Sequence, residues 1–135
     1  MQSWVAYLWV ATGGALGSVG RYWLSGMVAT RVGETFPWGT LAVNVSGSLV
    51  IGILSALAAP EGRWPVSPEF RLFMMIGVCG GYTTFSSFSL QTLNLLRDGE
   101  WFYAIGNVLL SVVLCLVGVW LGYLLGAFLN STKGG

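Results

Sequence analysis

The chain has 135 residues, of which 55% are hydrophobic and only 8% are charged, whereas a soluble domain usually carries about 25% charged residues. A net charge of +1 offers no basic surface for nucleic acid, and the absence of histidine excludes most metalloenzymes and serine-type catalytic triads. The mean hydropathy of +0.74 indicates that the surroundings of the chain are lipid. Composition therefore predicts an all-α integral membrane protein that contacts membrane lipid.

Four apolar segments are separated by short gaps that hold nearly all of the charged residues. Each segment reaches the ~20 residues that a helix needs to cross ~30 Å of hydrocarbon. The sequence predicts one four-helix transmembrane domain over residues 1–135, with no loop long enough for a soluble domain. The four predicted spans cover residues 4–29, 39–59, 72–96 and 101–129.

The first segment lacks the preceding basic residue of a signal peptide and contains Arg21, a charge well inside an apolar stretch. Such a charge is costly unless it snorkels to the interface or faces a cavity. Arg21 is therefore a candidate for attracting anions to a vestibule, with simple snorkelling as the alternative. The pair Gly13 and Gly17 forms a GxxxG motif, which lets helix backbones approach closely, and the small chain size favours an oligomer.

The basic residues give almost no information on orientation. Four spans would place three of them on each side of the membrane, if Arg21 reaches the nearer boundary. An even distribution leaves the positive-inside rule nothing to act on, which predicts dual topology and antiparallel pairing; a single orientation set by a weak bias or by a partner stays open. The two sets are Arg63, Arg71 and Lys133, and Arg21, Arg31 and Arg97.

The third segment departs most from a plain lipid-facing helix. Two adjacent glycines, Gly80 and Gly81, precede five hydroxyl residues within seven positions. A helix break at these glycines would release backbone carbonyls and amides near the middle of the membrane, where channels and transporters use such groups to hold ions. The alternative is an unbroken helix whose hydroxyls bond to the preceding turn.

Two aromatic residues follow the glycines. Phe85 and Phe88 are three residues apart, so they share a face on a helix. The edge of a phenyl ring carries partial positive charge, and ring edges could meet an anion without trapping it. Ordinary packing is the alternative for this pair.

Polar positions recur on the second and fourth segments. Asn44 and Ser48 are four residues apart on the second, and Asn107, Ser111 and Cys115 share a face of the fourth. These faces are rich in hydrogen-bond donors and hold no carboxylate, which favours a small hydrated anion over a cation or a proton. Polar residues that only bond helices together are the alternative.

The motifs at residues 13–22, 39–44 and 79–89 resemble those of the Fluc (CrcB) family of fluoride channels. The resemblance covers nearly the whole chain. It implies a multi-pass protein of the bacterial inner membrane that forms a dual-topology antiparallel homodimer. It also implies that each dimer exports fluoride passively through two pathways for fluoride resistance, without enzymatic activity or an organic cofactor.

The resemblance also implies site residues. Asn44 matches the pore asparagine of the family, Phe85 and Phe88 match its two ring-edge phenylalanines, and Arg21 matches its first-helix arginine. The family also holds a central sodium ion at the dimer interface, and residue matching assigns its ligands to backbone carbonyls of both copies, those of Gly80 and Thr83. The remaining members of the matched polar stretch are Thr84, Ser86 and Ser87.

Two positions depart from the family pattern. Gln91 stands where family members often carry a glutamate, so an amide replaces a carboxylate. Cys115 stands at a pore serine position, and a thiol is a weaker donor than a hydroxyl. The two earlier positions of that track, often tyrosine and serine, are Asn107 and Ser111.

Three other functions fit the sequence less well than a fluoride channel or stay open beside it. A proton-coupled exporter of the small multidrug-resistance type shares the size and the four spans, but it needs a glutamate inside the membrane. All five acidic residues of this chain fall in predicted gaps. A non-transporting structural subunit stays open, and a membrane enzyme is disfavoured because few groups could act as acid or base.

Overall fold

The computed structural model describes residues 3–132, and every regular element in that range is helical. Helix α1 spans Trp4–Val32, α2 spans Trp38–Leu57 and α5 spans Trp101–Ser131. These bounds lie within three residues of the first, second and fourth predicted spans. Lys133, which was counted in the charge balance, lies outside the described residues.

The third predicted span corresponds to two helices. Helix α3 covers residues 68–82 and consists of an α-helical turn at Pro68–Arg71, a π-helical stretch at Leu72–Cys79 and a short α-helical end at Gly80–Tyr82. Helix α4 spans Phe85–Arg97. Helix α3 starts four residues before the predicted span, because the Ser67 side chain accepts a hydrogen bond from the Phe70 amide and Pro68 occupies the first helical turn.

Helices α1 and α3 pack backbone against backbone along their glycines. A Cβ atom on Gly77 would lie only 2.9 Å from the Gly13 Cα, and one on Gly81 would lie 2.6 Å from the Gly14 carbonyl oxygen. Gly17 meets the carbonyl of Val78 in the same way. The GxxxG motif of α1 therefore joins two helices of one chain.

Helices α2 and α5 form a second glycine-packed pair. A Cβ on Gly52 would lie 2.9 Å from the Tyr123 amide nitrogen, and one on Gly126 would lie 2.7 Å from the Ile53 carbonyl oxygen. Both glycines are buried. The small-residue faces expected to help association are thus used inside the subunit, and the interruption between α3 and α4 lies close to α2.

Among the described residues, α2 and α5 are long and apolar enough to cross a membrane. Helix α1 is longer than α2, but Arg21 and several hydroxyl residues reduce its apolar character. The third segment is divided into pieces that are individually shorter than a span. Four crossings therefore remain a prediction for this chain.

Candidate functional site

The chain leaves helical geometry between α3 and α4. Thr83 has φ −82° and ψ 156°, and Thr84 has φ −150° and ψ 114°, so both residues are extended. Gly80 and Gly81, where the sequence predicted a break, are helical. The extended residues therefore lie two positions beyond the predicted pair.

A side chain of α2 explains this position. The Asn44 Oδ1 atom accepts a hydrogen bond from the Thr84 amide at 2.7 Å, and the Asn44 Nδ2 group donates to the Thr84 carbonyl at 3.0 Å. In a continuous helix the Thr84 amide would instead donate to the Gly80 carbonyl. Asn44 thus satisfies both backbone groups of one extended residue and withdraws a donor from the end of α3.

Hydroxyl groups cap the start of α4. The Thr84 Oγ1 atom accepts a hydrogen bond from the Ser87 amide at 3.2 Å and donates to the Ser87 hydroxyl at 3.1 Å. It also lies 3.3 Å from the Ser86 Oγ atom. The Thr83 hydroxyl donates to the Cys79 carbonyl at 3.0 Å. The positive end of the α4 dipole therefore lies beside a cluster of polar hydrogens.

One cavity lies on the side of this interruption that faces α5. It has a volume of about 400 Å³ and is here named the phenylalanine cavity. The Phe85 and Phe88 ring centroids are 5.3 Å apart with an interplanar angle of 54°. Phe88 is 9% exposed and Phe85 is 77% exposed. The predicted site residues in its lining are Asn44, Gly80, Thr83, Thr84, Phe85, Phe88, Ser111 and Cys115.

A larger cavity, here named the vestibule, has a volume of about 820 Å³. Arg21 lies in its wall, and the Arg21 Nε group donates to the Gly81 carbonyl at 3.3 Å. Thr84 lines both the vestibule and the phenylalanine cavity. The predicted residues in the vestibule lining are Arg21, Thr84, Ser87 and Gln91, and its acidic residues are Glu34, Asp98 and Glu100.

Gln91, Ser86 and Asn107 are predicted site residues that do not line the phenylalanine cavity. The Gln91 Oε1 atom is buried and accepts no hydrogen bond from residues 3–132. Ser86 is exposed, is absent from the lining of both cavities and lies beside the Thr84 hydroxyl. Asn107 is 2% exposed and is absent from the lining of both cavities. It joins α4 to α5 by a hydrogen bond. At Asn107 the structure thus fits the alternative reading, in which a polar residue bonds two helices together.

Sequence reasoning missed two further polar contacts. The Asn107 Nδ2 group donates to the Thr92 Oγ1 atom at 3.0 Å, and the Tyr82 hydroxyl lies 2.8 Å from the Ser46 Oγ atom. Thr92 follows Phe88 by four residues, which places both on one helix face. That spacing could have identified Thr92, whereas no pattern in the sequence connects Tyr82 with Ser46.

Side-chain metal chemistry has no cluster to support it in the described part of the chain. No group of three or more cysteine, aspartate or glutamate side chains is placed to hold a metal ion there. Cys79 and Cys115 are free thiols, and both line the phenylalanine cavity. The oxygen atoms near the interruption belong to backbone carbonyls and to the hydroxyl groups of residues such as Thr83 and Thr84.

Comparison with known proteins gives a consistent result. A family model described as "CrcB-like protein, Camphor Resistance (CrcB)" matches residues 8–123. A protein of Opitutus terrae is 66% identical over 128 residues, which cover 95% of this chain and 97% of that protein. A Rhodospirillum rubrum protein is 57% identical over 126 residues, with 93% and 98% covered. Both are named "Fluoride-specific ion channel FluC", which describes a channel and not an enzyme.

Proposed function

We propose, since this chain belongs to the CrcB-like family, that it is a fluoride-selective channel that exports fluoride passively down its electrochemical gradient. Family membership confirms the resemblance read from the three motifs. The chain is accordingly a membrane protein and not an enzyme. The names of its relatives support fluoride as the transported ion.

The observation that carries this proposal is the pair of hydrogen bonds between the Asn44 side chain and the Thr84 backbone. The two hydrogen bonds hold an extended residue at the junction of the vestibule and the phenylalanine cavity. They place the hydroxyl cluster at the N-terminus of α4 beside the junction and the Phe85 and Phe88 rings beyond it. An anion that crosses this junction meets hydrogen-bond donors, a helix N-terminus and ring edges in succession.

The chemistry of the phenylalanine cavity suits an anion that must also leave. No charged residue is present in the described lining of this cavity. Hydroxyl and amide groups can replace part of the hydration shell of fluoride, while the absence of a fixed positive charge keeps binding weak enough for conduction. Arg21, in the vestibule, supplies the full positive charge at the wider end of the route.

Assembly as a dual-topology antiparallel homodimer, with two pathways and four crossings per copy in the bacterial inner membrane, is part of the proposal. The even distribution of the six basic residues supports dual topology. Phe85 leaves 77% of its surface exposed in one copy, so a second copy could complete the wall around this ring.

A central sodium ion between the two copies is also proposed. The Thr84 amide donates to Asn44, so the Gly80 carbonyl lacks its usual helical donor. Thr83 is extended, which removes its carbonyl from a helical ladder. Hard cations take oxygen ligands, and the carbonyls of Gly80 and Thr83 from two copies would supply four. The bound ion would fix the two interruptions relative to each other.

Proton-coupled export of the small multidrug-resistance type has no matching site. Three of the acidic residues lie in the vestibule lining, and none lies in the described lining of the phenylalanine cavity. A carboxylate that exchanges protons inside the membrane would need a position on an apolar helix face. The acidic residues are Glu34, Glu61, Glu69, Asp98 and Glu100.

Flux from liposomes tests the proposal. Vesicles that contain the purified protein should release fluoride when a potassium ionophore provides the counter-current, and they should need no proton gradient. Phe88→Ile and Phe85→Ile should reduce the flux because an aliphatic side chain lacks the positive ring edge. Phe128→Ile, at an exposed position of α5, is the matched control.

Two results would contradict the proposal. A fluoride electrode that records no release above empty vesicles, from protein that elutes as a folded species, would exclude a fluoride channel. Release that collapses when the proton gradient is removed would favour coupled export. Normal flux in both the Phe85 and the Phe88 variants would reduce these rings to packing residues.

A further inference from the structure

Asn107 is the fully buried polar side chain between α4 and α5, with 2% of its surface exposed. Its neighbour one turn later, Ser111, lines the phenylalanine cavity, whereas Asn107 does not. The Ser111 hydroxyl donates to the Asn107 Oδ1 atom at 3.3 Å. Asn107 therefore reaches the cavity only through the hydroxyl group of Ser111.

The direction of this hydrogen bond follows from the neighbouring residues. The Thr92 hydroxyl has a single proton and donates it to the Phe88 carbonyl at 2.7 Å. Thr92 Oγ1 can then only accept from Asn107, so the amide nitrogen of Asn107 faces Thr92 at 3.0 Å. The amide oxygen must face Ser111, and Ser111 must donate. The single proton of Ser111 is thus turned toward Asn107.

We propose that Asn107 is a positioning residue that competes with the passing anion for the Ser111 proton and so limits how tightly the cavity holds it. This inference rests on the proposed fluoride channel. While Ser111 donates to Asn107, only the lone pairs of the Ser111 oxygen face the cavity. Fluoride receives the proton only when the bond to Asn107 is broken, so its binding at Ser111 is weakened by one hydrogen bond. Weak binding lets the ion leave.

The sharpest test is the dependence of flux on fluoride concentration in Asn107→Leu, which keeps the branching and the number of side-chain heavy atoms and removes the acceptor. The freed Ser111 proton should lower the half-saturating fluoride concentration about three- to tenfold, the equivalent of one hydrogen bond. The maximal flux should fall by a similar factor because the ion leaves more slowly. A loss of packing alone would reduce maximal flux without lowering the half-saturating concentration.

Thr92 offers a second route to the same state with a smaller change of volume. Thr92→Val removes the group that fixes the orientation of the Asn107 amide, so the half-saturating concentration should fall, but by less than in Asn107→Leu, because the Asn107 oxygen can still accept from Ser111 when the amide has not turned. Thr92→Ser keeps the hydroxyl and should restore the wild-type value. Thr12→Val is the matched control, because the Thr12 hydroxyl makes the same bond to the Leu8 carbonyl, at 2.8 Å, on an exposed face of α1.

A double variant distinguishes the effect of the Ser111 proton on fluoride binding from the effect of altered packing. In a Ser111→Ala background no proton is left to compete for, so Asn107→Leu should cause no further shift. A shift of equal size with and without the Ser111 hydroxyl would overturn the inference, as would an unchanged or higher half-saturating concentration in both Asn107→Leu and Thr92→Val. Absence of fluoride flux in the wild-type protein would instead overturn the proposed function.

Discussion

The two cavities that meet at Thr84 differ in volume and in chemistry. The vestibule has about 820 Å³ and contains Arg21 together with Glu34, Asp98 and Glu100. The phenylalanine cavity has about 400 Å³, and the described residues that line it carry no formal charge. The larger cavity therefore contains full charges, whereas the described lining of the smaller one offers dipoles only.

This difference follows from the strength of electrostatic interactions in each region. Water screens charges in the vestibule, so Arg21 can attract an anion there without holding it. In a mostly apolar cavity the same charge would interact many times more strongly, and burying it would itself be costly. Hydroxyl groups, ring edges and a helix N-terminus supply the smaller partial charges that such a cavity tolerates. Substitutions in the two cavities should consequently respond differently to salt.

The largest effect is expected for Asn44→Leu, which removes both side-chain hydrogen bonds to Thr84, the residue that lines both cavities. Both backbone groups of Thr84 lose their partner. Two hydrogen bonds of about 1–1.5 kcal/mol each correspond to an approximately 100-fold smaller population of the extended conformation. Fluoride flux should fall by about this factor at every salt concentration, as measured with an electrode on proteoliposomes.

Ser55→Leu controls for the introduction of a leucine into α2, because Ser55 is exposed on the same helix. It should keep wild-type flux. If Asn44→Leu protein has full flux and an unchanged elution volume, the hydrogen bonds between Asn44 and Thr84 are not needed for fluoride flux. The position of Thr84 between the two cavities would then not depend on Asn44.

A smaller and salt-dependent effect is expected for Arg21→Gln. Glutamine can still donate a hydrogen bond to the Gly81 carbonyl, so the substitution tests mainly the charge. At low ionic strength the loss of electrostatic attraction should reduce flux about three- to tenfold. At about 1 M of an impermeant salt, where the Debye length is near 3 Å, the variant and the wild type should converge.

Arg31→Gln removes the same charge from the last turn of α1, at an exposed position outside both cavity linings. It should change flux less than Arg21→Gln at low salt. A deficit in Arg21→Gln that persists unchanged at high salt would assign Arg21 a local role through the Gly81 carbonyl. Long-range electrostatic attraction by Arg21, which salt would screen, would then not explain its effect on flux.

The sequence predicted the helices better than the site. Apolar length and the positions of charges located α1, α2 and α5 to within three residues, because these properties are local. The start of α3 was missed by four residues although Ser67 and Pro68 provide a recognisable helix start. Glycine spacing indicated close helix contacts, but only the structure shows that Gly13 and Gly77 belong to one such contact.

The position of the interruption depends on a contact between distant parts of the chain. Gly80 and Gly81 have the greatest backbone freedom, yet both remain helical. The missing side chain of Gly81 lets α3 approach Gly14 of α1 closely. The extended conformation occurs at Thr84, where Asn44, 40 residues earlier, supplies both hydrogen bonds. Local sequence cannot reveal such a competition. The same holds for Asn107, whose partner on α4 decides that it bonds helices together.

The smallest effect is expected at Cys115, which lies in the lining of the phenylalanine cavity. A thiol is a weaker hydrogen-bond donor than a hydroxyl, so Cys115→Ser should add donor strength in a cavity whose described lining carries no formal charge. Flux should change about two- to threefold, the equivalent of a fraction of one hydrogen bond. Because the described residues that line this cavity carry no formal charge, the ratio to wild type should stay constant from low to high salt.

Alanine has nearly the same volume as serine and has no hydrogen-bond donor, so Cys115→Ala should shift flux in the opposite direction from Cys115→Ser. The pair therefore distinguishes donor strength from volume. Equal flux in the wild type and both variants would mean that the ion does not contact position 115 and that the conducting part of the cavity is limited to the Asn44 and Phe88 side. A salt-dependent difference between the two variants would place Cys115 in screened surroundings like those of Arg21.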